Sequence, residues 1–261
     1  MCVGTEGHKG EQGEPGHGFL VLSLVTGTRN RLDSLMRLVC SITTHTKVNW
    51  ELIIADASDE PLPFVDEPGI TILPERPRVG VSKGYNRAFA KAKGKYVLWL
   101  NDDAEVLPGY DFEAVRFMEL NPNIGLGALY YQECGSDFHV NSYLGMTYAN
   151  FGIMKREFGN SIGWFDEEFP MYGSDNALAF RTLLADKGVA GIPNARLIHH
   201  AIADRHREEN NLSADRWRDV ELLMAKYGDK IQYMRGIFRS MNLLTAAGRD
   251  HTPDSIARRF A

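Results

Sequence analysis

Residues 76–109 read RPRVGVSKGYNRAFAKAKGKYVLWLNDDAEVLPG, and the order of elements in this stretch decides the fold. A helix comes first: over Tyr85–Ala92, the residues Ala88, Phe89 and Ala92 recur at helical spacing on one face. Tyr96–Leu100 follows as an unbroken apolar run, the pattern of a strand covered on both faces. It ends directly at Asn101-Asp102-Asp103. Two adjacent carboxylates at the end of a buried strand repel each other and are costly to bury without a counter-cation. Asn-Asp-Asp is also good turn chemistry, but its place behind YVLWL favours function. A hard divalent cation, Mn²⁺ or Mg²⁺, would keep its oxygen coordination there while bridging carboxylates to substrate phosphates.

Upstream, Phe19–Val25 is an apolar run followed by a polar loop, Thr26–Arg31. Leu32, Leu35, Leu38, Val39 and Ile42 then recur at helical spacing. Leu52–Ala55 is a second strand ending at Asp56, and Ile70–Leu73 a third. Strands alternating with helices predict an α/β fold with a Rossmann-like, mostly parallel central sheet flanked by helices. In such sheets ligands bind outside the carboxyl ends of the strands. Polar residues collect there three times, at Thr26–Arg31, Asp56 and Asp102-Asp103.

Downstream, Tyr143–Ile153 reads as one strand, 164–176 as a loop rich in aromatic and acidic residues, and Ala177–Lys187 as a helix stopped by Gly188. Short extended runs, Val189–Ile192 and Arg196–Ile198, lead to His199-His200. A helix from Ser213 to Tyr227 and a helical C-terminal appendage over 229–261 complete the reading.

The chain has 261 residues and a net charge of -5. The acidic balance speaks against a nucleic-acid partner, while leaving room for a local basic groove. Glycine recurs every third residue from Gly4 to Gly16, a collagen-like Gly-x-y register too short to trimerise unaided, so 1–18 is expected to be a disordered tail. Cys2, Cys40 and Cys134 are odd in number and far apart, the usage of free thiols in a reducing compartment. No apolar stretch is long enough to span a bilayer, and the N-terminus lacks a secretory signal. A cytoplasmic location, at most peripheral to a membrane, is the expectation.

As an ordered set these stretches resemble the family 2 glycosyltransferases of the GT-A fold. LVTGTRNRLDSLMRLVCSI (24–42) is similar to the family's first strand, nucleotide loop and first helix. ELIIADASDE (51–60) is similar to its second strand, and 76–109 to the segment running into its Asp-rich motif. IGWFDEEFPMYGSDNALAFRTLLADKG (162–188) is similar to its acceptor loop and catalytic-base helix. The resemblance covers about residues 19–200. It implies a GT-A domain over 19–228, with a nucleotide-binding half (19–110) and an acceptor half (111–228).

The activity implied is metal-dependent, inverting transfer of a sugar from a nucleoside-diphosphate sugar, a UDP-sugar first, to a glycan, protein or other hydroxyl acceptor. Thr26, Arg29 and Asp56 would line the nucleotide pocket, with Lys83 and Asn86 near the diphosphate or ribose. Asp102 would contact ribose or sugar, Asp103 would ligate Mn²⁺ or Mg²⁺, and Asp175 would be the general base. His199 or His200 would be a further metal or diphosphate ligand. Neighbours on a strand point to opposite faces, so one of the two is expected to serve.

The chain departs from the family pattern at three places. Asn101 replaces the first acid of the motif, Gly27 a frequent proline, and Ser174 the acid that commonly precedes the base. The last change should leave Asp175 near the ordinary carboxylate pKa. Two other readings stand beside this one. A nucleotidyltransferase should carry a Gly-rich phosphate loop, where LVTGTRNR has one glycine. A catalytically idle glycan-binding relative fits poorly with an intact Asp103 and Asp175. Trp164, Phe165, Phe169, Met171 and Tyr172 suit either an acceptor-sugar platform or a local core, and Arg181 is expected to pair with an internal carboxylate.

Overall fold

A computed structural model describes residues 21–63, 68–133, 135–143, 146–169, 172–202, 204, 218–219 and 221–228, with the backbone of 248–250. The Gly-x-y tail lies outside these residues, as does the expected extension over 229–261. The exception is 248–250, which forms a strand, β11 (Gly248–Asp250), rather than helix.

The chain opens with β1 (Leu22–Thr28), α1 (Leu32–His45), β2 (Trp50–Asp56) and β3 (Ile70–Pro74). It continues through α2 (Val81–Phe89), β4 (Tyr96–Asn101), β5 (Ala104–Val106) and α3 (Tyr110–Leu120). β6 (Ile124–Gln132), β7 (Val140–Tyr143), β8 (Met146–Tyr148) and β9 (Gly152–Lys155) come next. α4 (Arg156–Ile162), α5 (Ser174–Leu184) and β10 (Gly188–His199) follow, and a helical stretch occupies 221–228.

Eight strands form the central sheet in the order β3-β2-β1-β4-β9-β6-β10-β5. The β3-β2-β1-β4 half is parallel. β9 runs antiparallel to both β4 and β6, and β5 antiparallel to β10. The stretch read as one strand, 143–153, turns out to contain the end of β7, all of β8 and the start of β9. β7 and β8 pair antiparallel in a separate small sheet.

Both faces of the sheet are covered, which is why β4 reads as continuously apolar: Tyr96, Val97, Leu98, Trp99 and Leu100 are all buried. On one face α1 buries Leu35, Leu38, Val39 and Ile42 against Leu22, Leu52 and Leu98. Each such side chain contributes about 1.5–3 kcal/mol relative to exposure. On the other face Tyr85 and Phe89 of α2 pack with Trp99, Phe169 and Phe180, and Tyr227 of 221–228 stacks on Phe180 at 5.2 Å.

Gly94 of the Ala-x-Gly turn is a close approach. A Cβ there would lie 2.6 Å from the Ser23 backbone nitrogen, so only glycine lets the turn before β4 lie on β1. Cys40 is disulfide-bonded, which overturns the expectation of free thiols, and the cysteines give no support to a reducing compartment. Among the described residues no helix is long and apolar enough to cross a membrane.

Candidate active site

Parallel register brings the polar strand ends level. Thr28 lies opposite Asp56 on β2, and Gly27 opposite Asn101 on β4. β1 runs three residues further than its apolar run suggested, to Thr28. Thr26, expected to line the nucleotide pocket, is therefore inside the strand with no exposed surface. Gly27, not proline, is required by packing: a Cβ there would come 2.9 Å from the ring of Tyr85, whose hydroxyl donates to the Leu100 carbonyl at 2.7 Å. Arg29 is exposed at the strand end.

Asp56 is 1% exposed and accepts from the Ser58 N–H at 2.9 Å, with the Arg76 guanidinium 3.8 Å from its other oxygen. Lys83 is exposed on α2. Asn86 is not open to a ligand as expected. Its Nδ2 donates to the Phe165 carbonyl (2.8 Å) and to Glu167 (3.0 Å), and its Oδ1 accepts from the Phe165 N–H (2.9 Å).

Asp102 and Asp103 are both nearly fully buried, and they divide the surroundings between them. Asp102 accepts from Thr28 Oγ1 at 2.8 Å and from Arg31 at 3.2 Å. Burial pushes its carboxyl up to about 6, with Arg31 and Thr28 opposing. Arg31 turns its remaining donors into a two-pronged contact with Asp204, Nε–Oδ2 at 2.6 Å and Nη2–Oδ1 at 2.9 Å. Asp103 faces the strand beyond. Its Oδ1 lies 3.1 Å from His199 Nε2, its Oδ2 accepts from the Ile202 N–H at 3.3 Å, and its carbonyl accepts from the His200 N–H. The pairing of Ala104 with His199 between β5 and β10 sets this up.

His199 contacts Glu133 through Nδ1 at 2.5 Å and is buried beside Phe151 and Tyr131. Burial opposes its charge, but hydrogen bonds to Asp103 and Glu133 outweigh that and hold it up to about 9. His200 instead meets Glu105 at 2.8 Å, so the two histidines face different partners and only His199 reaches the acidic pair.

Arg31 and Glu133 were missed in the sequence. One signal for Arg31 existed: it occupies the N-cap position of α1, where Ser, Thr, Asp or Asn would supply a capping oxygen, and no side chain caps that helix. A residue that breaks a local rule is a candidate for work elsewhere.

Asp175 opens the first turn of α5. Its Oδ1 accepts from the Asn176 N–H at 2.8 Å. The expectation of an ordinary carboxylate does not hold, because burial pushes it up to about 6 against the backbone hydrogen bonds that favour the anion. The loop before it is a packed core. Phe165 lies among Tyr85, Phe89 and Trp99 at 5.3–5.7 Å, and Phe169 is wholly buried. Tyr172 donates its N–H to Asp219, and Met171 lies outside the described residues. Among the described residues Arg181 pairs with no internal carboxylate within salt-bridge reach. It donates instead to the carbonyls of Ile162, Gly163 and Trp164.

Among the described residues no group of three or more His, Cys, Asp or Glu side chains is arranged to hold a metal ion. The Asp103–His199 pair still suits one. Its donor atoms are 3.1 Å apart, close to the roughly 3 Å edge of a six-coordinate site with bonds of about 2.1 Å. Glu133 on the far ring nitrogen stands where an outer carboxylate would orient a ligating histidine. Two protein donors leave the remaining positions to substrate phosphates and water.

The profile of glycosyl transferase family 2 matches residues 23–186. The chain is 27% identical over 243 residues to the O-antigen biosynthesis protein RfbC of Myxococcus xanthus, covering 78% of this chain and 19% of that protein. It is 27% identical over 107 residues to an uncharacterized glycosyltransferase of Haemophilus influenzae, covering 40% of this chain and 36% of that one. It thus spans well under half the length of these curated relatives.

Among solved structures, GalNAc-T7 with UDP, GalNAc and Mn²⁺ superposes with a TM-score of 0.60 at 14% identity, over 71% of this chain and 44% of that chain. Residues 1–349 of TarS from S. aureus superpose with a TM-score of 0.61 at 12% identity, over 78% and 64%. Both are GT-A glycosyltransferases. Identities this low speak for the fold alone, and it is the fold expected from the sequence.

Proposed function

The chain belongs to glycosyl transferase family 2, and on that premise we propose that it moves a sugar from a nucleoside-diphosphate sugar to an acceptor hydroxyl in one inverting displacement. The observation that carries the reading is the buried Asp103–His199 contact of 3.1 Å at the strand ends, with Glu133 behind the histidine. Asp103 and His199 would hold a divalent cation. A carboxylate with an imidazole suits Mn²⁺ more readily than Mg²⁺. When bound, the cation offsets charge on the departing nucleoside diphosphate.

Asp56 would accept from the base of the nucleotide, beside Arg76. Arg29 and Lys83 are exposed cations that would add charge toward the diphosphate. Asp102, fixed by Thr28 and Arg31, would accept from ribose or sugar hydroxyls. Asp175 would take the acceptor's proton at Oδ2, since Oδ1 is engaged by the Asn176 N–H. A carboxyl pushed up to about 6 is a better base near neutrality than an ordinary aspartate.

UDP is the first nucleotide to test, because GalNAc-T7 was solved with UDP and Mn²⁺. A glycan is the first acceptor to test, given the O-antigen biosynthesis relative. The deciding experiment assays a panel of nucleotide sugars for nucleoside-diphosphate release, with Mn²⁺ or chelator, on wild type and Asp103→Ala. Release that requires Mn²⁺ and is lost in Asp103→Ala is expected. Release indifferent to both would overturn the metal-bound reading.

A further inference from the structure

We infer that Ser82 and Asn86 of α2 are positioning residues for the base Asp175, and that α2 is the spacer holding donor side and base in register. The inference rests on the reading of Asp175 as base.

Ser82 and Asn86 are four residues apart, on one face of the helix. An asparagine amide has two N–H donors, and both of Asn86's are committed, to the Phe165 carbonyl and to Glu167. A diphosphate offers only acceptors, so Asn86 could serve it only by releasing the loop. With Oδ1 accepting from the Phe165 N–H, one side chain makes the reciprocal pair of bonds that a neighbouring strand would make.

Ser82, 2% exposed, donates its single proton to the Phe169 carbonyl at 2.7 Å. The 2.7 Å contact between Ser82 Oγ and Ser174 Oγ must therefore be donated by Ser174, the residue before Asp175. α2 thus grips the loop at Phe165, Phe169 and Ser174, ending one residue short of the base.

The rest of α2 faces the donor side. Gly84 lies against Ala55, the residue before Asp56, and the Tyr85 hydroxyl holds the Leu100 carbonyl, the residue before Asn101. Tyr85 also fills the space above Gly27, before Thr28. One helix of nine residues touches each of three strands one residue before its polar end, at Gly27, Ala55 and Leu100, and with another edge fixes the base. Misplacing a catalytic group by about 1 Å can cost about 10²-fold in rate.

The test uses the full chain, with UDP and Mn²⁺ as the binding probe and the donor panel for turnover. Asn86→Ala leaves Phe165 packed among Tyr85, Phe89 and Trp99, and Ser82→Ala is the second variant should the first fail to fold. Expected for both are a fall in kcat of about 10- to 100-fold, donor KM and UDP affinity within about twofold of wild type, and faster amide hydrogen exchange confined to 163–175. A loss of UDP affinity with exchange over 163–175 unchanged would place Asn86 on the donor and overturn the proposal. Wild-type kcat in both variants would overturn it as well. Asp175→Asn, run alongside, separates the two readings: if it transfers normally the base assignment fails, whereas the exchange and UDP measurements judge the clamp by themselves.

Discussion

Asp102 and Asp103, directly after β4, are held by charge, and Asp175, in the first turn of α5, by packing. The acidic pair is enclosed by Arg31, Thr28, His199 and, one shell out, Asp204 and Glu133. Among the described residues no cation pairs with Asp175. It has the N–H groups at the start of α5 and a loop pinned by Asn86, Ser82 and Arg181. Asp102 and Asp175 are nevertheless both pushed up to about 6 by burial. For Asp102, Arg31 limits the rise. For Asp175, only hydrogen bonds to backbone and Asn176 do. The difference teaches that the same rise can stand on different balances: burial opposed by a cation at Asp102, and burial opposed by hydrogen bonds without a counter-charge at Asp175.

The comparison breaks most sharply at Asp175. Asp175→Asn should lower kcat by about 10³-fold with little change in donor KM, measured by nucleoside-diphosphate release, because a general base contributes about 10²–10⁴-fold. On the charged side, Glu133→Gln keeps both proposed metal donors and removes only the outer carboxylate. The Mn²⁺ concentration for half-activation should rise about 10- to 100-fold, read from a metal titration, with kcat restored at saturation.

The pH profile sharpens the contrast further. Asp175 must be deprotonated to act, and its raised pKa extends the protonated form to higher pH, so kcat should fall about tenfold between pH 7 and pH 5 for a base near 6. The residual rate of Asp175→Asn should lack that slope. A smaller effect is expected from Arg31→Met, which strips Asp102 of its cation and removes the two-pronged contact to Asp204. The cost is about 1–3 kcal/mol for the acceptors left behind, read as a drop of a few degrees in the thermal midpoint. An unchanged midpoint would mean that charge does not hold the acidic pair.

Much of the fold was legible because its signals are local. β1, β2 and β4 are apolar runs, α1 shows its stripe at spacings of three and four, and three strand ends carry acids or polar loops. The region 143–153 was misread because β7, β8 and β9 are short and equally apolar, and only their pairing separates them. Of the candidate site, Asp56, the Asp102-Asp103 pair and Asp175 were proposed from the sequence. Arg31 could not be, since its partners lie 71 and 173 residues away. Glu133 meets His199 across 66 residues, and Asn86 meets Phe165 across 79.

By itself, then, the sequence determined the elements, the parallel half of the sheet and the acids that crown it, since backbone periodicity and strand burial are written within ten or so residues. Tertiary structure alone decided three further matters. The register of β5 on β10 turned His199 to Asp103 and His200 to Glu105. The approach of α2 to the loop before α5 engaged Asn86 with Phe165 and Glu167. Burial at the head of α5 raised Asp175 despite Ser174. Each depends on which distant groups share a low-dielectric space, and no local pattern of side chains specifies that.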